Sequence, residues 1–199
     1  MSQKHQEHII CVKASLFNER AHGFADYELK LGDLMLGQRA ALENDEDFRQ
    51  VLPISVFTHN GKVWAYTRTP KGGESRLHNK VSVAVGGHWD LADLVVTEGV
   101  IDLEASLQTA IDRELEEEVT LTSNVVKSTK LTKIICADDT PVDRVHLAMI
   151  WIHELDGEGI TPSEDQLETV GFVTPEELLG GDHNIEVWAR LIGQILNDQ

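Results

Sequence analysis

The alternation of apolar and polar residues predicts many strands and few helices. The clearest signal comes from two alternating runs, 52–58 and 62–68, which are joined through His59-Asn60-Gly61-Lys62. Asn-Gly supplies two residues that accept positive φ, so these runs predict a β-hairpin. Apolar, β-branched runs predict further strands over 8–17, 81–85, 132–137 and 145–155.

Helical periodicity is best over 103–118, and it is weaker over 25–42, where two glycines interrupt the pattern. Residues 171–179 predict the end of a strand followed by a helix, because Thr174 can open a capping box. Residues 184–197 predict a final amphipathic helix. Strands interleaved with a few helices predict an α/β fold with a mixed sheet.

The length of 199 residues, without a Gly-, Ser- or Pro-rich linker, predicts one globular unit. We expect an N-terminal extension over 1–50 packed on a domain over 51–199. Cys11 and Cys136 are the two cysteines, which excludes a disulfide framework and is typical of the reducing cytoplasm. The N-terminus lacks an apolar signal core, and the apolar runs are too short for a membrane span.

The charge of the chain restricts its partners. Its 17 basic and 34 acidic residues give a formal net charge of −17. Such a charge repels phosphate backbones, so binding to a nucleic-acid polymer is disfavoured. A small phosphorylated substrate fits only if metal cations screen the charge. The sequence leaves both a monomer and a homodimer open.

Acidic side chains lie on an unexpected face of the helix predicted over 103–118. At about 100° per residue, Glu114, Glu117 and Glu118 continue its apolar stripe, whereas Glu116 points away. A solvated acidic helix end is one interpretation. The other is a bound divalent cation, because like charges on a half-buried face are costly and Mg²⁺ prefers carboxylate oxygens.

The run from Arg113 to Glu118 resembles the REUxEE core of the Nudix box, GX5EX7REUXEEXGU, in which U is aliphatic. The nine defined positions hold Gly99, Ala105, Arg113, Glu114, Leu115, Glu117, Glu118, Thr120 and Leu121. Ala105 and Thr120 depart from the pattern. Gly86-Gly87, which ends a predicted strand, matches the family's usual glycine pair better than Gly99, so residues 88–102 would be an insertion. The chain resembles a Nudix subgroup with an N-terminal extension and a degenerate box.

The resemblance implies a Nudix α/β/α sandwich with an added N-terminal strand and helix. It also implies hydrolysis of a pyrophosphate bond in a nucleoside-diphosphate-like substrate, with Mg²⁺ or alternatively Mn²⁺. Carried over by position, Glu114, Glu117 and Glu118 bind the metal, and the Gly87 carbonyl is an additional ligand. Arg113 holds a neighbouring glutamate. The physiological substrate and the general base are not readable from the box.

Several residues outside the box are candidates for contact with the substrate. A basic loop carries Arg68, Lys71 and Arg76, which either contact phosphate or are simply solvated. His88 and Trp89 either line the pocket, with Trp89 stacking on a base, or are structural. His146 is a weaker candidate and is expected to be a buried hydrogen-bonded histidine. Glu164, Asp165 and Glu168 lie in a loop where some Nudix enzymes place a catalytic base, but a solvated acidic loop is the favoured interpretation.

Two other functions stay open at this point. Ala105 and the displaced glycine pair favour a non-catalytic Nudix-like module that binds a nucleotide or a protein. The three intact glutamates oppose it, because a binding module does not need three repelling carboxylates. Isoprenoid isomerisation on the same fold has less support, because Cys11 and Cys136 both lie within apolar runs.

Overall fold

A computed structural model describes residues 7–17, 23–69, 80–163, 167–181 and 184–198. The strands are β1 His8–Lys13, β2 Phe24–Asp26, β3 Met35–Gln38, β4 Phe48–His59, β5 Lys62–Arg68, β6 Val81–Ser82, β7 Ala84–Gly86, β8 Val95–Thr97, β9 Val100–Asp102, β10 Val119–Leu121, β11 Val125–Ile135, β12 His146–Leu155, β13 Ile160–Pro162 and β14 Leu167–Val173. The helices are α1 Arg39–Leu42, α2 Leu103–Glu118, α3 Pro141–Arg144, α4 Pro175–Gly180 and α5 Val187–Asn197. Within these ranges we find no helix that is both long and apolar enough to span a membrane.

The predicted α/β fold with a large mixed sheet is confirmed. Across the described ranges, the main sheet has the strand order β14-β5-β4-β12-β11-β2. Strand β1 pairs with β3 and β4, whereas β6 pairs with β5 and β7 pairs with β4. Strands β8 and β9 form a separate hairpin, and β10 pairs with β13.

The chain divides into two compact units, the first made of Met1–Ile54, Gly86–Glu114 and Leu131–Ile150. In this unit β1 runs antiparallel to β3 and to the start of β4, with Cys11 opposite Gln50. Ile9, Cys11 and Leu42 form a small buried cluster beneath these strands. This packing fixes the position of α1 and therefore of Glu43, which directly follows it.

The helix predicted over 25–42 is wrong. The segment forms β2, a 3-10 turn over Leu31–Asp33, β3, and the single helical turn α1. Gly37 lies against the Leu42 side chain, where an added Cβ would be 2.7 Å from Leu42 Cδ1. Pairing of β3 with β1 and this close approach override the apparent helical spacing of the leucines.

The second unit consists of Ser55–Val85, Leu115–Lys130 and Trp151–Gln199. Its hairpin is the predicted one: Asn60 (φ 49°) and Gly61 (φ 74°) make the turn between β4 and β5. The capping box predicted at Thr174 also forms and begins α4. A buried cluster in this unit includes side chains from both strands of the hairpin. It consists of Phe57, Trp64, Tyr66, Val85, Val119, Leu155, Ile160 and Leu167.

Candidate functional site

Helix α2 begins and ends at the predicted residues, Leu103 and Glu118. Its N-terminus is held by Asp102, whose side chain accepts a hydrogen bond from the Ala105 amide and whose carbonyl accepts one from the Ser106 hydroxyl. The buried face consists of Ser106, Leu107, Ala110 and Ile111. This burial fixes the rotation of α2 and therefore the direction of the side chains in its last turns.

Arg113 lies between two carboxylates of the first unit. Its Nε and Nη2 atoms each donate to Asp93, at 2.8 Å to Oδ1 and 2.8 Å to Oδ2. Its Nη1 donates to Glu114 Oε1 at 2.6 Å, and Nη2 also donates to the His88 carbonyl at 3.1 Å. Hydrogen bonds to Asp93 are the main cause that raises the pKa of Arg113, and Glu114 raises it further. The guanidinium therefore stays charged and holds Glu114 in one position.

Glu114 also packs directly on Gly87, the residue that follows β7. The side chain of Glu114 is 13% exposed, and an added Cβ at Gly87 would come within 2.6 Å of its carboxyl carbon. At Gly86 the φ angle is 148° and the backbone lies against Pro53 and Ile54, so a side chain there would also collide. Gly87 thus lets the backbone approach the Glu114 carboxylate closely, and Gly86 lets it approach Pro53 and Ile54.

Gly99 has a different place. With Glu98 (φ 53°) and Gly99 (φ 83°) at its tip, the β8–β9 hairpin turns within the segment 88–102. An added Cβ at Gly99 would meet nothing within 4 Å. Gly99 therefore serves a hairpin turn, whereas Gly87 is the glycine that contacts the REUxEE helix.

The other two box glutamates differ in exposure. Glu117 is exposed, as is Glu116, whereas Glu118 is half-buried and its Oε2 atom is buried. The carboxylate of Glu118 also acts electrostatically on two groups of the second unit. Burial raises the pKa of Tyr66 against the opposing effect of Arg68, and the charge of Glu118 adds to the rise.

Arg68 belongs to a hydrogen-bonded network of the second unit. Its Nε donates to Glu186 Oε1 at 3.2 Å, and its Nη2 donates to the Tyr66 hydroxyl at 3.2 Å. The Tyr66 hydroxyl in turn donates to the Ala84 carbonyl at 2.6 Å. The Tyr66 group, Glu186 and Glu118 raise the pKa of Arg68, and burial raises the pKa of Glu186. Arg68 is thus a charged, internally paired side chain at the end of β5.

The remaining predicted residues are distributed unevenly. Lys71, Arg76, Glu164 and Asp165 lie outside the described residues. Trp89 is 0% exposed, and its backbone bonds to Val51 and Ile10, so this indole has a structural place in the first unit. Glu168 is exposed on β14 opposite Thr67. The side chain of His88 approaches His146, which is buried as expected.

Sequence reasoning missed Asp93, the buried partner of Arg113. Its side chain is 3% exposed and accepts a hydrogen bond from the Asp90 amide, while Asp90 Oδ1 accepts one from the Ala92 amide. The signal was the Asp-x-x-Asp spacing, which forms a capping box around the 3-10 turn Leu91–Asp93. That spacing predicts the turn but not the contact with a helix that begins ten residues later.

Known proteins resemble this chain in sequence and in fold. A sequence model of the NUDIX domain matches residues 49–192. Protein YmaB of Bacillus subtilis is 30% identical over 162 residues, which cover 80% of this chain and 76% of YmaB. The crystal structure of Tm1382, a proposed Nudix hydrolase, has a TM-score of 0.72 at 23% identity and covers 96% of this chain and 99% of its own. DR0079 from Deinococcus radiodurans has a TM-score of 0.50 at 19% identity, with 94% and 98% coverage. Since the domain match spans most of the sequence, the chain belongs to the Nudix family.

Proposed function

We propose that this chain is a divalent-metal-dependent hydrolase that cleaves a pyrophosphate bond in a small nucleoside-diphosphate-like substrate. In this proposal Glu114, Glu117 and Glu118 bind the metal, and the Gly87 carbonyl is a further ligand. One observation carries it: the REUxEE helix ends in three carboxylates, the first of which Arg113 fixes at 2.6 Å.

The side chains present suit a hard divalent cation. Carboxylate oxygens are the ligands that Mg²⁺ prefers, and Mg²⁺ keeps several waters when it binds to few protein groups. Gly87 leaves the space beside Glu114 that a Cβ would fill. Mn²⁺ prefers the same oxygen ligands and is the alternative cation.

The residues of the chain have separable tasks in this proposal. A bound cation offsets negative charge on the pyrophosphate and on the leaving group. Water adds to one phosphorus while the bond from that phosphorus to the bridging oxygen breaks, and a carboxylate accepts the proton of the water. Arg113 keeps Glu114 oriented, and it is a positioning residue because its donors are directed to Asp93 and Glu114.

We propose that the phosphates of the substrate are contacted by basic residues at the end of β5 and after it, Arg68, Lys71 and Arg76, and that His88 also contacts the substrate. Arg68 would have to share or exchange its bond to Glu186 when it meets a phosphate. A guanidinium presents a planar fork that suits two phosphate oxygens, so such an exchange is chemically reasonable.

The experiment measures phosphate-linked product release from a panel of small pyrophosphates, with and without Mg²⁺. The panel includes nucleoside triphosphates, nucleotide sugars, dinucleotides and coenzyme A derivatives. Glu117→Gln should abolish the Mg²⁺-dependent release without unfolding the protein. The matched control is Glu116→Gln, because Glu116 is an exposed glutamate next to Glu117 on the same helix.

The melting temperature gives a second readout. Millimolar Mg²⁺ should raise the melting temperature of the wild type, because binding to the native state relieves repulsion among the carboxylates. Undiminished hydrolysis by Glu117→Gln would contradict the metal assignment. Silence across the panel together with a flat Mg²⁺ melting curve would instead favour a non-catalytic nucleotide- or protein-binding module.

A further inference from the structure

Two histidines and a glutamate that are not part of the REUxEE run meet in the first unit. Each of Glu43, His88 and His146 offers one ligand atom, and these three atoms lie within 4.8 Å of one another. The residues come from three distant parts of the chain: the residue after α1, the residue after Gly87, and the first residue of β12. Such convergence of two imidazoles and a carboxylate is the donor set of many transition-metal sites.

The tautomer of His146 leaves one ring nitrogen ready to accept. Its Nδ1 atom lies 2.7 Å from the Val142 carbonyl. A carbonyl oxygen can only accept, so Nδ1 carries the proton and Nε2 carries a lone pair. Burial lowers the pKa of His146, although Glu43 and the Val142 bond oppose this effect. A metal-binding histidine commonly has this arrangement, in which a backbone carbonyl orients the ring through its other nitrogen.

The backbone that carries His146 is also held firmly by its surroundings. Nη1 of the buried Arg49 donates to three carbonyls, those of Ala137, Asp143 and His146, at 3.0, 2.8 and 3.2 Å. A capping box between Thr140 and Asp143 fixes the short helix α3, which supplies the Val142 carbonyl. The backbone before and at His146 is therefore preorganised, and little conformational entropy is left to lose on binding.

The distance between the two histidines suits a shared cation. Nε2 of His88 lies 3.3 Å from Nε2 of His146, and the rings are inclined by 62°. Two imidazole nitrogens that each lie about 2.0–2.1 Å from a tetrahedral Zn²⁺ are about 3.3–3.4 Å apart. In the absence of a cation, His88 Nε2–H donates to the lone pair of His146. To bind a cation, His88 must carry its proton on Nδ1 instead of Nε2. The cation then lies between the two Nε2 atoms, where that proton was.

Glu43 completes the set with a negative charge. Its Oε1 atom lies 3.7 Å from Arg39 Nε, and Arg39 is bound more closely, at 2.7 Å, by Glu7. The longer pair is weak, because Arg39 and Glu43 are partly exposed. Rotation of the Glu43 side chain towards the histidines therefore costs little. It would bring a carboxylate oxygen to the two nitrogens.

We propose that Glu43, His88 and His146 form a second cation site, selective for Zn²⁺ or a similar borderline transition metal over Mg²⁺. Imidazole nitrogen is a good ligand for Zn²⁺, whereas Mg²⁺ binds mainly to oxygen. Three protein ligands leave a fourth position open to water or to a substrate oxygen, as in catalytic rather than structural zinc sites. The His88 carbonyl accepts a bond from Arg113, so this site shares a residue with the support of Glu114. The inference does not depend on the proposed hydrolase function.

The test is a titration of the metal-free, full-length protein with Co²⁺ and Zn²⁺. Co²⁺ bound to two nitrogens and a carboxylate gives visible absorption bands of four- or five-coordinate geometry, and Zn²⁺ should displace it at one equivalent. His88→Ala and Glu43→Gln should each weaken binding at least about 100-fold, because a lost ligand costs no less than a lost outer-shell partner. Both residues are half-buried, so these variants should fold, which circular dichroism in EDTA would verify.

Two controls separate this site from the REUxEE carboxylates. Glu117→Gln should keep the Co²⁺ bands and the Zn²⁺ affinity of the wild type. His59→Ala tests unspecific histidine binding, because the His59 ring bonds to Leu155 in the second unit. The proposal is overturned if the wild type binds less than one equivalent of Zn²⁺. It is equally overturned if His88→Ala and Glu43→Gln bind Co²⁺ with unchanged spectra and affinity, which would leave the histidines as a simple hydrogen-bonded pair.

Discussion

Replacement of Asp93 by asparagine is the most informative perturbation of the Arg113 network. Asp93→Asn preserves the size of the side chain but removes its charge and one acceptor oxygen. The native carboxylate is 3% exposed and accepts hydrogen bonds from Nε and Nη2 of Arg113, each at 2.8 Å. The side chain of Arg113 is 32% exposed. The ion pair is therefore intermediate between a buried and a surface pair.

The expected loss in the free energy of unfolding follows from that intermediate burial. Breaking a fully buried ion pair costs about 3–5 kcal/mol, whereas an exposed pair contributes about 0–1 kcal/mol. We expect Asp93→Asn to lower the free energy of unfolding by about 2–3 kcal/mol, since water reaches one partner. For a chain of this length, that loss corresponds to a fall in melting temperature of about 5–10 °C.

The matched control is Asp112→Asn, which changes an exposed aspartate next to Arg113 that bonds to Gln108. Its effect on unfolding should stay within about 0.5 kcal/mol. Urea denaturation of both variants at pH 7 measures the difference. If Asp93→Asn is no less stable than Asp112→Asn, the pair does not hold the segment 88–102 to α2. In that case Asp93 cannot be a positioning residue for Glu114.

Two shorter predictions concern the close contact at Gly87 and the buried thiol of Cys11. Gly87→Ala should lower pyrophosphate hydrolysis about 10–100-fold in a coupled phosphate assay, because the new Cβ displaces the Glu114 carboxylate. Gly180→Ala, where a Cβ would meet nothing within 4 Å, should be neutral, and equal activity of the two variants would refute the contact. Cys11 should resist a thiol reagent at pH 8, because burial and then Asp45 raise its pKa to about 11, so about one thiol in a thousand is ionised. Measured in a Cys136→Ala background, unfolding in guanidinium should speed the reaction at least about 100-fold; rapid labelling of the native protein would contradict the burial.

Local signals predicted the parts of the fold that local chemistry determines. The Asn60-Gly61 turn and the capping box at Thr174 each depend on neighbouring residues, and both form as expected. Helix α2 was predicted to the residue because its apolar spacing and its acidic end agree. By contrast, β11 extends well before the apolar residues that predicted a strand over 132–137. Most of its first nine residues are exposed, so pairing in the sheet rather than burial makes that part a strand.

The contacts that sequence reasoning missed join residues far apart in the chain. Asp93 reaches Arg113 across 20 positions, and His88 reaches His146 across 58. Neither a capping box nor a lone histidine in an apolar strand has a local sequence property that predicts which distant residue it contacts. His88 meets His146 because β7 pairs with β4 and β4 neighbours β12, an arrangement that only the topology specifies.

The segment 88–102 supports a Nudix box that departs from the family pattern at Ala105 and Thr120. Ala105 stands at the first carboxylate position of the box, and the segment 88–102 separates Gly86-Gly87 from the helix. That segment supplies Asp93, which occupies two of the Arg113 donors. With one carboxylate on each side, Arg113 balances charge that would otherwise repel Glu114, and its raised pKa reflects both partners. The segment 88–102 is therefore part of the support for the REUxEE helix, and shortening it should lower pyrophosphate hydrolysis as much as changing Arg113 does.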